Sequence, residues 1–102
     1  MPSRTPALLL AALLAPAAAH AQNAADGRQI VQTWCSNCHR VNPQEPVAAG
    51  DGPPPFTAIA RMPSTTSISL GAFLSTTHGR MPDLALTRTQ IQDVSAYILT
   101  LR

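Results

Sequence analysis

Five consecutive residues, Cys35-Ser36-Asn37-Cys38-His39, carry the densest chemistry in this chain. Two residues between the thiols put the sulfurs about one turn apart on a short helical segment, since an α-helix has about 3.6 residues per turn. That separation matches the two vinyl groups of a haem, to which thiols add to form thioethers. His39 then faces the iron and can coordinate it through a ring nitrogen. Cys-x-x-Cys-His is the attachment signature of a c-type haem. Other uses of two cysteines fit less well. A disulfide three residues apart closes a very small loop and constrains the unfolded chain little. A thioredoxin-like redox pair needs a βαβ context. A structural zinc site needs four ligands, and only His20 and His78 remain as further His or Cys residues.

An electron-transfer haem holds its iron between two protein ligands, and a thioether in the sixth position raises the potential. Three donors lie downstream of His39: Met62, His78 and Met81. Met81 is the expected ligand. It sits in Gly79-Arg80-Met81-Pro82, a loop between two helical patterns that Pro82 stiffens. Met62 closes a short helical stretch and reads better as a wall or core residue. His78 would give a bis-histidine iron of lower potential. Its other reading is an exposed residue beside a helix C-terminus, where an imidazolium is favoured.

The elements that must position these groups are helical. Residues 23–35 read as a first helix, capped by Asn23 or Asp26, with Gly27, Ile30, Val31 and Trp34 on one packing face. Residues 40–55 hold Pro43, Pro46, Gly50, Gly52 and Pro53-Pro54-Pro55, and read as loop. Phe56 to Met62 can form a short helix stopped by Pro63. Residues 67–77 read as another, with Leu70, Phe73 and Leu74 on one side and Gly79 as a left-handed terminator. Thr87 and Gln90 form a capping box for the last helix. Ile91, Val94, Tyr97, Ile98 and Leu101 line its apolar stripe. No strand pair, repeat or second domain is visible.

Residues 1–21 read as a secretory signal peptide. Arg4 precedes an uncharged Ala/Leu run over residues 7–15, Pro16 breaks it, and Ala19-His20-Ala21 suits cleavage after Ala21. The run is far shorter than the roughly 20 residues of a membrane-spanning helix. The expected mature domain is residues 22–102, with no membrane span, located in the periplasm. So small a domain buries too little apolar surface to be comfortably stable alone. Its aromatics are only Trp34, Phe56, Phe73 and Tyr97, so a bulky apolar cofactor would complete the core. The seven basic residues are all arginine, against five acidic ones. That balance offers neither a lysine-rich docking face nor the concentrated basic patch that nucleic-acid binding requires.

Taken together, these residues make the chain resemble the class I monohaem cytochromes c in their short bacterial form, over essentially all of residues 24–102. The resemblance rests on the pentapeptide, on Met81-Pro82 in the late loop and on the final amphipathic helix. It implies an all-α cytochrome c-like fold of four to five short helices around one covalent haem c. Cys35 and Cys38 would hold that haem, and His39 and Met81 would be its axial ligands. It implies that the first and last helices cross at Gly27, eight residues before Cys35, with Tyr97 packing there. It also implies a proline carbonyl against the free nitrogen of His39, supplied by Pro53 or Pro54 within Gly52-Pro53-Pro54-Pro55-Phe56. Arg28, Arg40, Arg61 and Arg80 are the cations available to haem propionates. The function implied is periplasmic electron transfer rather than enzymatic conversion of a substrate. Its partners would be redox proteins: a dehydrogenase, an oxidase or another cytochrome. The chain would be a monomer or weak dimer. Two other readings share the haem: a cytochrome subunit held permanently in a periplasmic dehydrogenase complex, and a haem-based ligand-binding or sensor protein.

Overall fold

The computed structural model describes residues 1–3, 22–46 and 52–102. The apolar run and cleavage site expected of a signal peptide, and the middle of the long loop, lie outside the described residues. Among the described residues, four α-helices follow in order: α1 (Ala24–Ile30), α2 (Phe56–Arg61), α3 (Ser67–Leu74) and α4 (Arg88–Leu99). One π-helical stretch, Val31–Cys35, continues α1 directly into the cysteine motif. Among the described residues, no helix is long and apolar enough to cross a membrane.

Local chemistry sets the helix ends. Asn23, not Asp26, is the N-cap of α1: its side chain accepts from the amides of Ala25 and Asp26. The capping box at Thr87 and Gln90 is present and opens α4. Thr66 and Ser69 form a second box that opens α3. This helix ends at Leu74, three residues earlier than its pattern implies. Ser75 and Thr76 turn their hydroxyls back onto the carbonyls of Gly71 and Ala72 and finish it there. Gly79, with φ of +36°, therefore shapes the turn before Met81 rather than terminating α3.

The dominant packing is α1 across α4. At the crossing, a Cβ built on Gly27 would lie 1.9 Å from the Asp93 carbonyl oxygen and 2.4 Å from its carbon. Only glycine lets two backbones approach this closely. The buried Asp93 side chain locks the same junction, accepting from the Asn23 amide at 2.8 Å. The core around it is compact: Val31, Cys35, Val41, Phe56, Ala60, Leu70, Val94, Tyr97 and Ile98.

Tyr97 joins this core to the loop after the haem motif. Its buried hydroxyl donates to the Val41 carbonyl at 2.5 Å, and burial pushes the phenol pKa up. Val41 is only 2% exposed, so water cannot replace that donor freely. We expect Tyr97→Phe to lower unfolding stability by about 1–3 kcal/mol, the cost of a buried acceptor left unpaired. Chemical denaturation of the holoprotein checks this; a loss under a few tenths of a kcal/mol would refute the anchoring role.

The packing expected of Trp34 fails. Trp34 is 55% exposed, whereas an uninterrupted α-helix would set it on the face of Gly27 and Val31. The π stretch is the reason. Ser36 bonds the carbonyl of Val31, five residues back, at 2.9 Å. One extra residue in the turn delays the helical phase by up to about 100°, one residue's α-helical rotation. Trp34 swings outward and Cys35, at 7% exposure, takes the inward position.

Candidate haem-attachment site

Cys35 closes the π turn, and the next residues fold back over its carbonyl. The amides of Cys38 and His39 both donate to the Cys35 oxygen, at 3.2 and 2.8 Å. Both cysteines are free thiols, Cys35 buried and Cys38 exposed. Burial pushes the Cys35 pKa up. A redox pair of the thioredoxin kind needs its nucleophilic thiol pushed the other way. Among the described residues, no three His, Cys, Asp or Glu side chains gather to hold a metal. The donors therefore remain two thiols and one imidazole on a single turn.

The imidazole is held firmly. His39 Nδ1 lies 2.7 Å from the Pro54 carbonyl oxygen. A carbonyl only accepts, so Nδ1 carries a proton, and in the neutral ring the lone pair then lies on Nε2. Such a partner behind a ligating histidine fixes its tautomer and ring plane and raises its basicity. The Phe56 ring packs beside it, tilted by 54° with centroids 5.3 Å apart. Phe56 also donates its amide to the Arg40 carbonyl at 2.9 Å, tying the start of α2 to the residue after His39. This resolves a choice the sequence leaves open: of the three consecutive prolines, Pro54 supplies the oxygen.

The three downstream donors stand in different settings. Met62 follows α2 and is 48% exposed. Met81 is partly buried and borders a small cavity with Phe73, Leu74, His78, Leu84 and Leu86. Its amide donates to the His78 carbonyl at 2.8 Å across a short antiparallel bridge. Downstream, the Asp83 side chain accepts from the Ala85 amide at 2.8 Å and holds Ala85 at φ of 49°. His78 itself is engaged. Its ring stacks on Phe73 with centroids 3.5 Å apart, Nδ1 bonds the Thr76 carbonyl, and Nε2 lies 3.3 Å from the Thr76 hydroxyl. Phe73 thus leaves the apolar side expected of α3 and serves the loop. Of the four arginines offered to propionates, Arg40 donates to the Glu45 carbonyl.

This donor set fits a covalently attached haem. The thiols are unpaired, the imidazole presents one free nitrogen, and the buried thiol belongs to the apolar core. A buried thiol, a backbone-oriented imidazole and helices crossing at a glycine suit a small helical haem protein. The chain belongs to the cytochrome c family, whose pattern it matches over residues 24–102. Among relatives, the cytochrome c-552 of Bradyrhizobium diazoefficiens is 38% identical over 95 residues, spanning 93% of this chain and 90% of that one. No solved structure matches this chain. It is a class I monohaem cytochrome c and a haem electron-transfer protein. Haem c is bound covalently through cysteine in this family, and Cys35 and Cys38 are the two cysteines available here.

Proposed function

We propose that residues 22–102 form an exported, periplasmic electron shuttle in which His39 and Met81 hold the iron between them. The haem supplies a one-electron couple, and the protein supplies its ligands, a water-poor pocket and an edge for transfer. The observation that carries the ligand choice is the engagement of His78. With both ring nitrogens turned to Thr76 and one face against Phe73, it is a poor competitor for iron. Met81, three residues on, is the remaining donor of the same loop. The bonds on either side of it, to His78 and from Ala85 to Asp83, hold that loop in shape.

His39 acts as the fixed ligand. Pro54 holds its Nδ1 proton, so the ring does not reorient when the charge on iron changes. Leu74, Leu84 and Leu86 give the cavity that Met81 borders an apolar lining. The physiological partners are proteins that give or take single electrons in the periplasm. The similarity to a bacterial cytochrome c-552 supports the electron-carrying part of this reading.

Ligand substitution tests the assignment. We expect Met81→Ala to leave the haem attached, to abolish the weak far-red band of thioether ligation in the ferric spectrum, and to lower the potential. The shift should be on the order of 100 mV or more, a fraction of the roughly 0.8 V that axial ligands span. If Met62→Ala or His78→Ala does this and Met81→Ala does not, the assignment is wrong. Ready binding of carbon monoxide by the wild-type ferrous form would instead support a ligand-binding protein. A flavin, quinone or molybdenum subunit that co-purifies stably would rule out a free shuttle.

A further inference from the structure

The residues between the two cysteines are spacers as far as the attachment motif is concerned, yet Ser36 is built into the turn that aims Cys35. In a continuous α-helix the Ser36 amide would bond the Gln32 carbonyl, four residues back. Here it reaches Val31 instead, at 2.9 Å, which closes the π stretch at its C-cap and deprives Gln32 of that amide. The Ser36 hydroxyl fills the gap, donating to the Gln32 carbonyl at 2.5 Å. One residue therefore makes the irregular bond with its backbone and repairs the consequence with its side chain. The π turn in turn buries Cys35 and turns Trp34 outward. The side chain of Asn37, the other residue between the cysteines, makes only a long 3.4 Å bond from its Nδ2 to the Trp34 carbonyl.

We propose that Ser36 is a positioning residue for covalent haem attachment, its hydroxyl holding the π turn that presents the Cys35 thiol to its vinyl group. This rests on Cys35 being an attachment thiol. In the attachment step the Cys35 sulfur bonds the inner vinyl carbon and the thiol hydrogen passes to the outer one. The S–H bond and the vinyl double bond are consumed, and no oxidant or reductant is needed. Without the hydroxyl, the Ser36 amide regains its α-helical partner at Gln32. The turn reverts toward α-helix, and Cys35 rotates away from the position in which Cys38 and His39 fold against it.

The test counts thioethers. Holoprotein is matured in an exporting host, denatured and treated with a thiol-alkylating reagent. Alkylated mass reports an unreacted cysteine, and a red-shifted absorption band of the alkaline pyridine complex reports an unreacted vinyl. Wild type should show neither. Ser36→Ala should carry haem on Cys38 alone in a fraction raised about fivefold or more, the shift expected from one lost hydrogen bond. Peptide mapping should place the free thiol at Cys35. Ser36→Thr, which keeps a hydroxyl, should restore both thioethers, whereas the near-isosteric Ser36→Val should not. That pair decides the matter even if the alanine variant fails to accumulate. Equal behaviour of the Thr and Val variants, or an equal defect in Asn37→Ala, would overturn the proposal. A free Cys35 thiol already present in wild type would instead overturn the attachment role of Cys35 itself.

Discussion

Gly27→Ala should destabilise the holoprotein by about 3 kcal/mol or more, at the upper end of the cost of overfilling a packed interior. The atoms a methyl would meet are the Asp93 carbonyl oxygen and carbon at 1.9 and 2.4 Å and the Val94 nitrogen at 2.9 Å. All three are backbone, so no rotamer change relieves them. The helices must separate. Separation would also stretch the bond from the Asn23 amide to the buried Asp93 carboxylate. Alanine gains up to about 1 kcal/mol of helix propensity over glycine, which is too little to offset the clash. For a domain this size, the loss corresponds to a fall of roughly 12 °C or more in Tm. Thermal unfolding followed by circular dichroism measures it, and a Tm within a few degrees of wild type would disprove the close crossing.

The combined substitution Cys35→Ala and Cys38→Ala should have the larger consequence. Acid–acetone extraction should then strip all haem from the chain, where wild type retains its colour. The fold should suffer too. Among the described residues, only nine apolar side chains are buried, and several are as small as alanine, cysteine or valine. Trp34, Met62 and Phe73 all remain more than 40% exposed. A domain with so little interior has a stability margin of only about 5 kcal/mol or less without a further support. We expect the double variant to lose most of its helical circular dichroism at 37 °C. Haem resistant to extraction would contradict thioether attachment, and a fully helical, cooperatively melting double variant would contradict the structural role.

Much of this was legible in the sequence because it depends on short-range chemistry. The capping box at Thr87 and Gln90, the cap at Asn23 and the spacing of the attachment motif each involve side chains within a few residues. The glycine at the helix crossing was also readable, though only through resemblance to a family. The misses have a common cause. The π stretch leaves no mark in hydrophobic spacing: Trp34 keeps a helical distance from Gly27 and Val31 in the sequence, yet it faces outward. Three consecutive prolines share one fixed φ, so nothing local distinguishes the carbonyl of Pro53 from that of Pro54. The roles of Phe73 and Thr76 in engaging His78 arise from the shape of a turn, where the sequence pattern continues α3 to Thr77. Arg102 is a further case: its guanidinium donates to the carbonyls of Ala60 and Thr65, closing the end of α2 from the far end of the chain.

The hydrogen bond behind His39 carries an implication for how this protein can change. Its acceptor is a main-chain oxygen, so no single side-chain replacement at position 54 deletes it. A substitution there acts only by loosening the stretch and letting the oxygen wander. Heritable adjustment of the His39 imidazole is therefore graded rather than all-or-none, governed by the stiffness of Pro53-Pro54-Pro55. A side-chain carboxylate in that place would be both easier to lose and, when ionised, a stronger pull on the Nδ1 proton. The backbone arrangement trades that strength for mutational robustness, which suits a carrier whose driving force must stay matched to its partners.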